Sequence, residues 1–227
     1  MPPNIAWWVP VIGGVFAIVV IKMLFGGIGQ NIMNPALGAR CFLLISFASR
    51  MTDFAVDGVS TATPLAMLKL GKEINLLDAF LGMQSGCIGE VSALAILIGG
   101  GYLLIRKVIS IRIPAVYILS TLLFVFLFNV FANGGVPTVN YMVGQLLTGG
   151  LLAGAFFMAT DYTTTPITKG GQILFAVLIG FLTAVFRILG SSAEGVSYAI
   201  IVGNLCVPLI EKITVPKAFG MTKKEEV

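Results

Sequence analysis

The sequence predicts an all-α integral membrane protein, a polytopic bundle of about seven transmembrane helices. Hydrophobic residues make up 57% of the 227 positions and charged residues only 11%, whereas a soluble domain carries roughly a quarter charged residues. The mean hydropathy is +1.00. Because the apolar runs are continuous and do not alternate with polar residues, helices are favoured over a β-barrel.

The individual helices follow from the length of the apolar runs, since a bilayer core needs about 20 helical residues. Residues 1–227 form a single transmembrane domain, in which only the connection 50–86 is long enough to carry structure of its own. The predicted segments are Ile5–Phe25, Pro35–Ala48 (a short one), Ile88–Ile105, Ile113–Phe131, Tyr141–Ala159, Gln172–Leu189 and Val196–Ile213.

The distribution of basic residues predicts the orientation. With seven alternating helices, the basic residues gather at one end, which the positive-inside rule assigns to the cytoplasm together with the C-terminus. The net charge of +4 therefore reports membrane topology and not nucleic-acid binding. The connection 50–86 and Met1 then face outward, which is simplest if an odd number of helices precedes Met1. The basic residues concerned are Lys22, Arg106, Lys107, Arg112, Lys169, Lys212, Lys217, Lys223 and Lys224.

Two polar breaks interrupt the apolar pattern. Phe25–Ala36 contains three glycines, followed by Asn34 as a helix cap and Pro35 as a first helical residue; Thr160–Pro166 is hydroxyl-rich and also ends in proline. Broken helices in corresponding places of two halves indicate an inverted-repeat transport fold, and two plain turns are the alternative. A single Asn-Pro-Ala triplet is weak support for a water channel, which uses a pair of them.

Few charges lie near the bilayer, and intramembrane charge is costly enough to mark functional candidates. Lys22 and Arg187 are interpreted as side chains that snorkel to the interface. Arg40, Glu90 and Asp161 are candidates for a structural role or for the ion path. Arg40 could neutralise an anionic ligand, and Glu90 could lie at a helix N-terminus.

The remaining candidate is the stretch Asp57–Leu65, which offers three hydroxyls beside a carboxylate. Taken locally, Thr63 caps a short helix that starts at Pro64 and ends at Gly71. No catalytic residue and no metal site is predicted: histidine is absent and the three cysteines are far apart, at positions 41, 87 and 206.

Several of these stretches together resemble the RnfD subunit of the Rnf complex, and they are also similar to the NqrB subunit of the sodium-pumping NADH:quinone reductase. The resemblance covers nearly the whole chain. The stretches are Gly26–Ala36, Leu44–Phe47, Asp57–Leu65, Gly89–Ala93, Met158–Asp161, Glu194–Ala199 and Asn204–Ile210.

This resemblance implies a membrane subunit that carries FMN on a threonine through a phosphoester. Carried over by position, the acceptor is Thr63, with Asp57, Ser60, Thr61 and Ala62 completing the motif. Thr61 departs from the small glycine or serine often found there. The resemblance leaves a second, non-covalent flavin open, and it implies two inverted halves of five helices, of which the first three helices are missing here.

The implied activity is electron transfer between ferredoxin and NAD coupled to Na⁺ or H⁺ transport in a bacterial inner membrane. Implied partners are iron–sulfur and second flavin subunits, a flavin transferase and the lipid bilayer, with no nucleic acid. The flavin loop would lie on the outer side. A stand-alone inverted-repeat transporter or channel without a redox role is the alternative.

Overall fold

The computed structural model describes residues 1–27, 29–54, 63–133, 135–190 and 195–216. These residues form helices, turns and loops, without a strand among them. The helices are α1 Trp8–Val15, which continues as the π-helical segment Phe16–Met23, α2 Pro35–Ser46, α3 Ala48–Met51, α4 Pro64–Lys69, α5 Leu76–Leu81, α6 Ala93–Ile105, α7 Arg112–Asn133, α8 Val139–Leu147, α9 Leu151–Ala153, which continues as the π-helical segment Gly154–Met158, α10 Lys169–Ile188 and α11 Gly195–Thr214.

Each of the predicted apolar segments contains a helix, but their lengths differ. Helices α7, α10 and α11 are long and apolar enough to cross a membrane, and α8 with α9 make a fourth span if that bent pair crosses as one. The helices that start at Trp8, Pro35 and Ala93 are shorter. The fold is therefore that of a multi-pass helical membrane protein, while seven crossings and an inverted repeat stay predictions.

The core lies where α10 packs against α7 and α11. Glycines permit the close approach: a Cβ on Gly180 would overlap the Ser120 Oγ of α7. The hydroxyls of Tyr117 and Thr183 are 2.8 Å apart across the same interface. Small residues and hydroxyl pairs of this kind are what joins helices in lipid, where apolar side chains gain little by meeting each other.

The fifth predicted segment is broken where the sequence predicted one continuous helix. Gly149 and Gly150 both have φ of +67°, a left-handed conformation that glycine adopts at little cost. As a result, α8 and the helix that follows Gly150 are bent by 52°. The glycine pair therefore ends α8 and divides the segment predicted at Tyr141–Ala159 into two helices.

The two polar breaks of the sequence meet in space. Asn34 caps α2 as predicted, accepting hydrogen bonds from the amides of Ala36 at 3.0 Å and Leu37 at 3.3 Å, and its side chain donates to the Met158 carbonyl at 3.5 Å. The Asn31 amide donates to the Thr163 hydroxyl at 3.4 Å. The polar breaks at residues 25–36 and 160–166 thus lie together and form one polar junction.

Loop contacts agree with the predicted grouping of the loops at two ends of the bundle. At one end the Tyr162 hydroxyl donates to the Val108 carbonyl, and the Thr168 hydroxyl contacts that of Thr214 at 2.8 Å. At the other end Lys69 donates to the Gly190 carbonyl at 2.9 Å. Which end faces the cytoplasm stays a prediction.

Candidate functional site

Thr63 lies at the N-terminal cap of α4. Its backbone is extended, with φ −61° and ψ 149°, and its hydroxyl oxygen accepts from the Ala66 amide at 3.4 Å. Pro64 occupies the first helical position, and the chain turns at Gly71, where φ is +72°. The predicted capped helix is confirmed. The Thr63 side chain is half-buried.

Helix α4 is held against the break that follows α8. Leu65 and Leu68 are both buried. A Cβ on Gly149 would lie 2.5 Å from Leu65 Cδ2, and one on Gly144 would lie 2.8 Å from Leu68 Cδ1. The lysine at the end of α4 bonds to Gly190, as described above. Three contacts therefore fix a helix of six residues, which would not be stable alone in water.

An open groove runs beside Thr63 between α4 and α5. Both apolar and polar side chains line the groove, and Pro64, the residue directly after Thr63, is one of them. The lining residues are Pro64, Met67, Glu73, Ile74, Asn75, Asp78, Met83, Gln84 and Ser85.

The other residues of the attachment motif, Asp57, Ser60, Thr61 and Ala62, lie outside the described residues. Their roles remain predictions.

Arg40 and Glu90 form an ion pair that sequence reasoning did not anticipate. Arg40 Nη1 is 3.3 Å from Glu90 Oε2, and the side chains are 14% and 16% exposed. Arg40 Nη2 also contacts the Cys87 sulfur at 3.3 Å. Glu90 precedes α6, whose cap is Ser92. The pair connects α2 to the start of α6, so the guanidinium that was a candidate for an anionic ligand already has a carboxylate partner.

Asp161 organises the second polar break. The hydroxyls of Thr163 and Thr164 each donate to its Oδ2 at 3.1 Å, and the Thr165 hydroxyl donates to its carbonyl at 2.9 Å. Thr164 is in turn linked to Asn204 of α11, with the amide oriented to satisfy both neighbours. The carboxylate is therefore part of the junction between the two breaks, at the end opposite to Thr63.

Arg187 does not snorkel, contrary to the interpretation from sequence. Its side chain is only 2% exposed, whereas a snorkelling arginine keeps its head in water. Nη1 donates to the carbonyl and, at 3.0 Å, to the side-chain oxygen of Gln145. Nη2 donates to the carbonyls of Thr148 at 2.9 Å and Gly149 at 3.3 Å. The sequence signals that could have shown this are a glutamine inside an apolar segment and the glycine pair that follows it.

The fold and the capped threonine define a multi-pass helical membrane protein with a short, anchored helix at one end of the bundle. Residues 1–220 match the NQR2, RnfD, RnfE family, and the chain belongs to that family. The resemblance seen in the sequence is therefore confirmed.

Individual relatives match over nearly the whole chain. The D-type subunit of the Na(+)-translocating ferredoxin:NAD(+) oxidoreductase complex of Acetobacterium woodii is 46% identical over 232 residues, which cover 98% of this chain and 70% of the relative. The D-type subunit of the proton-translocating complex of Clostridium ljungdahlii is 40% identical, and the match covers 97% of this chain and 71% of the relative. The B-type subunit of the Na(+)-translocating NADH-quinone reductase of Azotobacter vinelandii is 36% identical, covering 95% and 57%.

Proposed function

We propose that this chain is a membrane subunit of an ion-translocating ferredoxin:NAD oxidoreductase complex and carries FMN through a phosphoester on Thr63. The observation that carries the proposal is the placement of Thr63, half-buried at the cap of an anchored helix, in a chain related to the D-type members of such complexes. A flavin would supply one- and two-electron chemistry that side chains lack.

The residues present fit this cofactor. Thr63 caps α4 as an acceptor, so replacing its hydroxyl hydrogen by a phosphoryl group leaves the ester oxygen still able to accept. The groove beside it opens next to Pro64 and is lined by Met67 and Met83. Thioether sulfurs make favourable contacts with aromatic rings, and the polar lining residues offer partners for the heteroatoms of an isoalloxazine.

The chain's own contribution is to hold the attachment point and to restrict its movement. Helix α4 is fixed by Leu65, Leu68 and Lys69, so the tethered group would stay at one end of the bundle. That end is the outer side in the proposed orientation, with the C-terminus in the cytoplasm of a bacterial cell. A flavin transferase working on the outer side would have to activate the hydroxyl, because threonine alone is a poor nucleophile.

Partner subunits complete the proposed complex. Iron–sulfur centres and a further flavin would belong to those subunits, and a second, non-covalent flavin in this chain is left open. Ion transport would use the junction of the two breaks, where Asp161 organises the hydroxyls of Thr163 and Thr164. The Arg40–Glu90 pair would hold α2 and α6 together beside that path. Broken helices that meet in this way are typical of inverted-repeat transporters.

The test is flavin fluorescence of the denatured protein in a gel, after co-expression with a flavin transferase. Thr63→Ala should abolish the fluorescent band and remove the FMN adduct from the intact mass. Thr138→Ala is the matched control, because Thr138 caps α8 in the same manner, accepting from the Tyr141 amide at 3.3 Å. Loss of either cap costs about 1 kcal/mol, so only attachment chemistry separates the two variants.

A fluorescent band that survives in Thr63→Ala would place the flavin on another residue, and Ser60→Ala and Thr61→Ala would then identify it. A wild-type mass without any adduct would favour the stand-alone transporter.

A further inference from the structure

Arg187 is a buried cation whose described partners are backbone and amide oxygens. Its four hydrogen bonds end on Gln145, Thr148 and Gly149. A charge taken out of water is expensive unless it is fully engaged, so these contacts must matter to the fold.

The carbonyls that receive these bonds lie at the end of α8. The last carbonyls of any helix lack partners within the helix. Water is scarce inside a membrane bundle, so such carbonyls must be satisfied by the protein. The chain turns away at Gly149 and Gly150 and restarts as α9, and Arg187 of α10 takes the place of the missing amides.

The same point receives α4. Leu65 Cδ2 and Arg187 Nη2 lie 2.5 and 2.9 Å from the position that a Gly149 Cβ would occupy. The two side chains therefore share one glycine, and Leu65 is only two residues beyond Thr63. Lys69, at the other end of α4, bonds to the Gly190 carbonyl at 2.9 Å, three residues beyond Arg187.

We propose that Arg187 is a positioning residue for the Thr63 site: it fixes the end of α8 as the surface on which α4 docks, and it places a permanent positive charge beside that helix. This inference rests on the proposed function only in that Thr63 is taken to carry FMN. The docking itself follows from the contacts.

The docking role of Arg187 and the effect of its charge can be separated by the choice of substitution. Arg187→Gln removes both the charge and most of the carbonyl contacts. Arg187→Lys keeps the charge but cannot reproduce a planar fork that serves several carbonyls. Arg112→Gln is the control, because Arg112 is an exposed arginine at the opposite end, bonded to Ser110 at 3.5 Å.

The first measurement is amide hydrogen exchange by mass spectrometry on the full complex in nanodiscs. Amides of α4 and of residues 145–150 should exchange about tenfold faster in Arg187→Gln and Arg187→Lys, because the loss of a charge-assisted hydrogen bond is worth about that factor. Exchange in α6 should not change, and Arg112→Gln should match the wild type throughout. Unchanged exchange in α4 in either Arg187 variant would overturn the docking role.

The second measurement is the midpoint potential of the bound flavin. If Arg187 had only a structural role, this potential would not depend on the charge of the side chain at position 187. A nearby positive charge favours added electrons, so Arg187→Gln should lower the potential while Arg187→Lys should lower it less. Equal shifts in the two variants would overturn the electrostatic part. If Arg187→Gln does not accumulate in membranes, Arg187→Lys and Leu65→Ala carry the exchange test.

The two proposals fail differently. Loss of α4 protection in a protein without covalent flavin would sustain the docking role and refute flavin attachment. A fluorescent flavin band, together with exchange and midpoint potential that do not change in the Arg187 variants, would sustain flavin attachment and refute the role of Arg187.

Discussion

The Arg40–Glu90 pair gives the sharpest quantitative prediction. The pair joins α2 to the segment before α6, with Nη1 and Oε2 3.3 Å apart. Arg40→Met and Glu90→Gln each remove one charge while keeping a side chain of similar length. Together with the double variant they form a thermodynamic cycle, which isolates the interaction between the two groups.

The expected magnitude follows from burial. Breaking a fully buried pair costs about 3–5 kcal/mol, and exposed pairs contribute about 0.2–1 kcal/mol. With side chains 14% and 16% exposed, this pair lies between those limits, and about 2 kcal/mol for each single variant is expected. For a chain of this length that corresponds to a Tm lower by about 4–8 °C.

The assay is thermal unfolding in nanodiscs, with Arg40→Met combined with Glu73→Gln as the control cycle, since Glu73 lies in the exposed loop after α4. The control pair should be additive, whereas the double variant at 40 and 90 should be destabilised by less than the sum of its singles. Additivity within about 0.5 kcal/mol for Arg40 and Glu90 would refute the interaction.

Two further predictions concern packing and pH. Gly100→Ala should destabilise the protein by about 1–3 kcal/mol in the same assay, because the added Cβ would lie 2.6 Å from the Phe156 ring. Gly101→Ala is the control and should not destabilise the protein, because open space surrounds Gly101. Equal destabilisation by the two substitutions would contradict the packing of Gly100 against Phe156. Burial, and after it the Arg187 charge, lowers the pKa of Lys69 below its usual 10.5. The folded state then binds fewer protons than the unfolded state between the lowered value and 10.5, so stability should rise with pH through that window. Lys69→Gln should flatten this rise in a Tm series, and an unchanged slope would exclude Lys69 as its origin.

Local signals in the sequence were enough for the helix starts. Asn34 and Thr63 are each followed by proline, and both cap helices as expected. Cap chemistry involves residues within three positions of each other, so it can be inferred without knowledge of the tertiary fold.

The contacts between distant segments could not be inferred in that way. Nothing in the local sequence of Arg187 shows that it faces the end of α8, because the direction of a side chain depends on helix rotation within the bundle. The ion pair of Arg40 with Glu90 spans 50 positions for the same reason. Gly149 and Gly150 do not reveal their role from sequence alone, because small residues serve close helix packing and helix breaks alike.

The junction of the two polar breaks has a consequence for motion. Asn31, Asn34, Thr163 and Asn204 satisfy one another's polar atoms or nearby backbone groups across two parts of the chain. If the two breaks separated, each of these hydrogen bonds would have to be replaced, because a polar group left without a partner is costly. Any rocking of one part against the other at this point must therefore admit water or a solute as it opens.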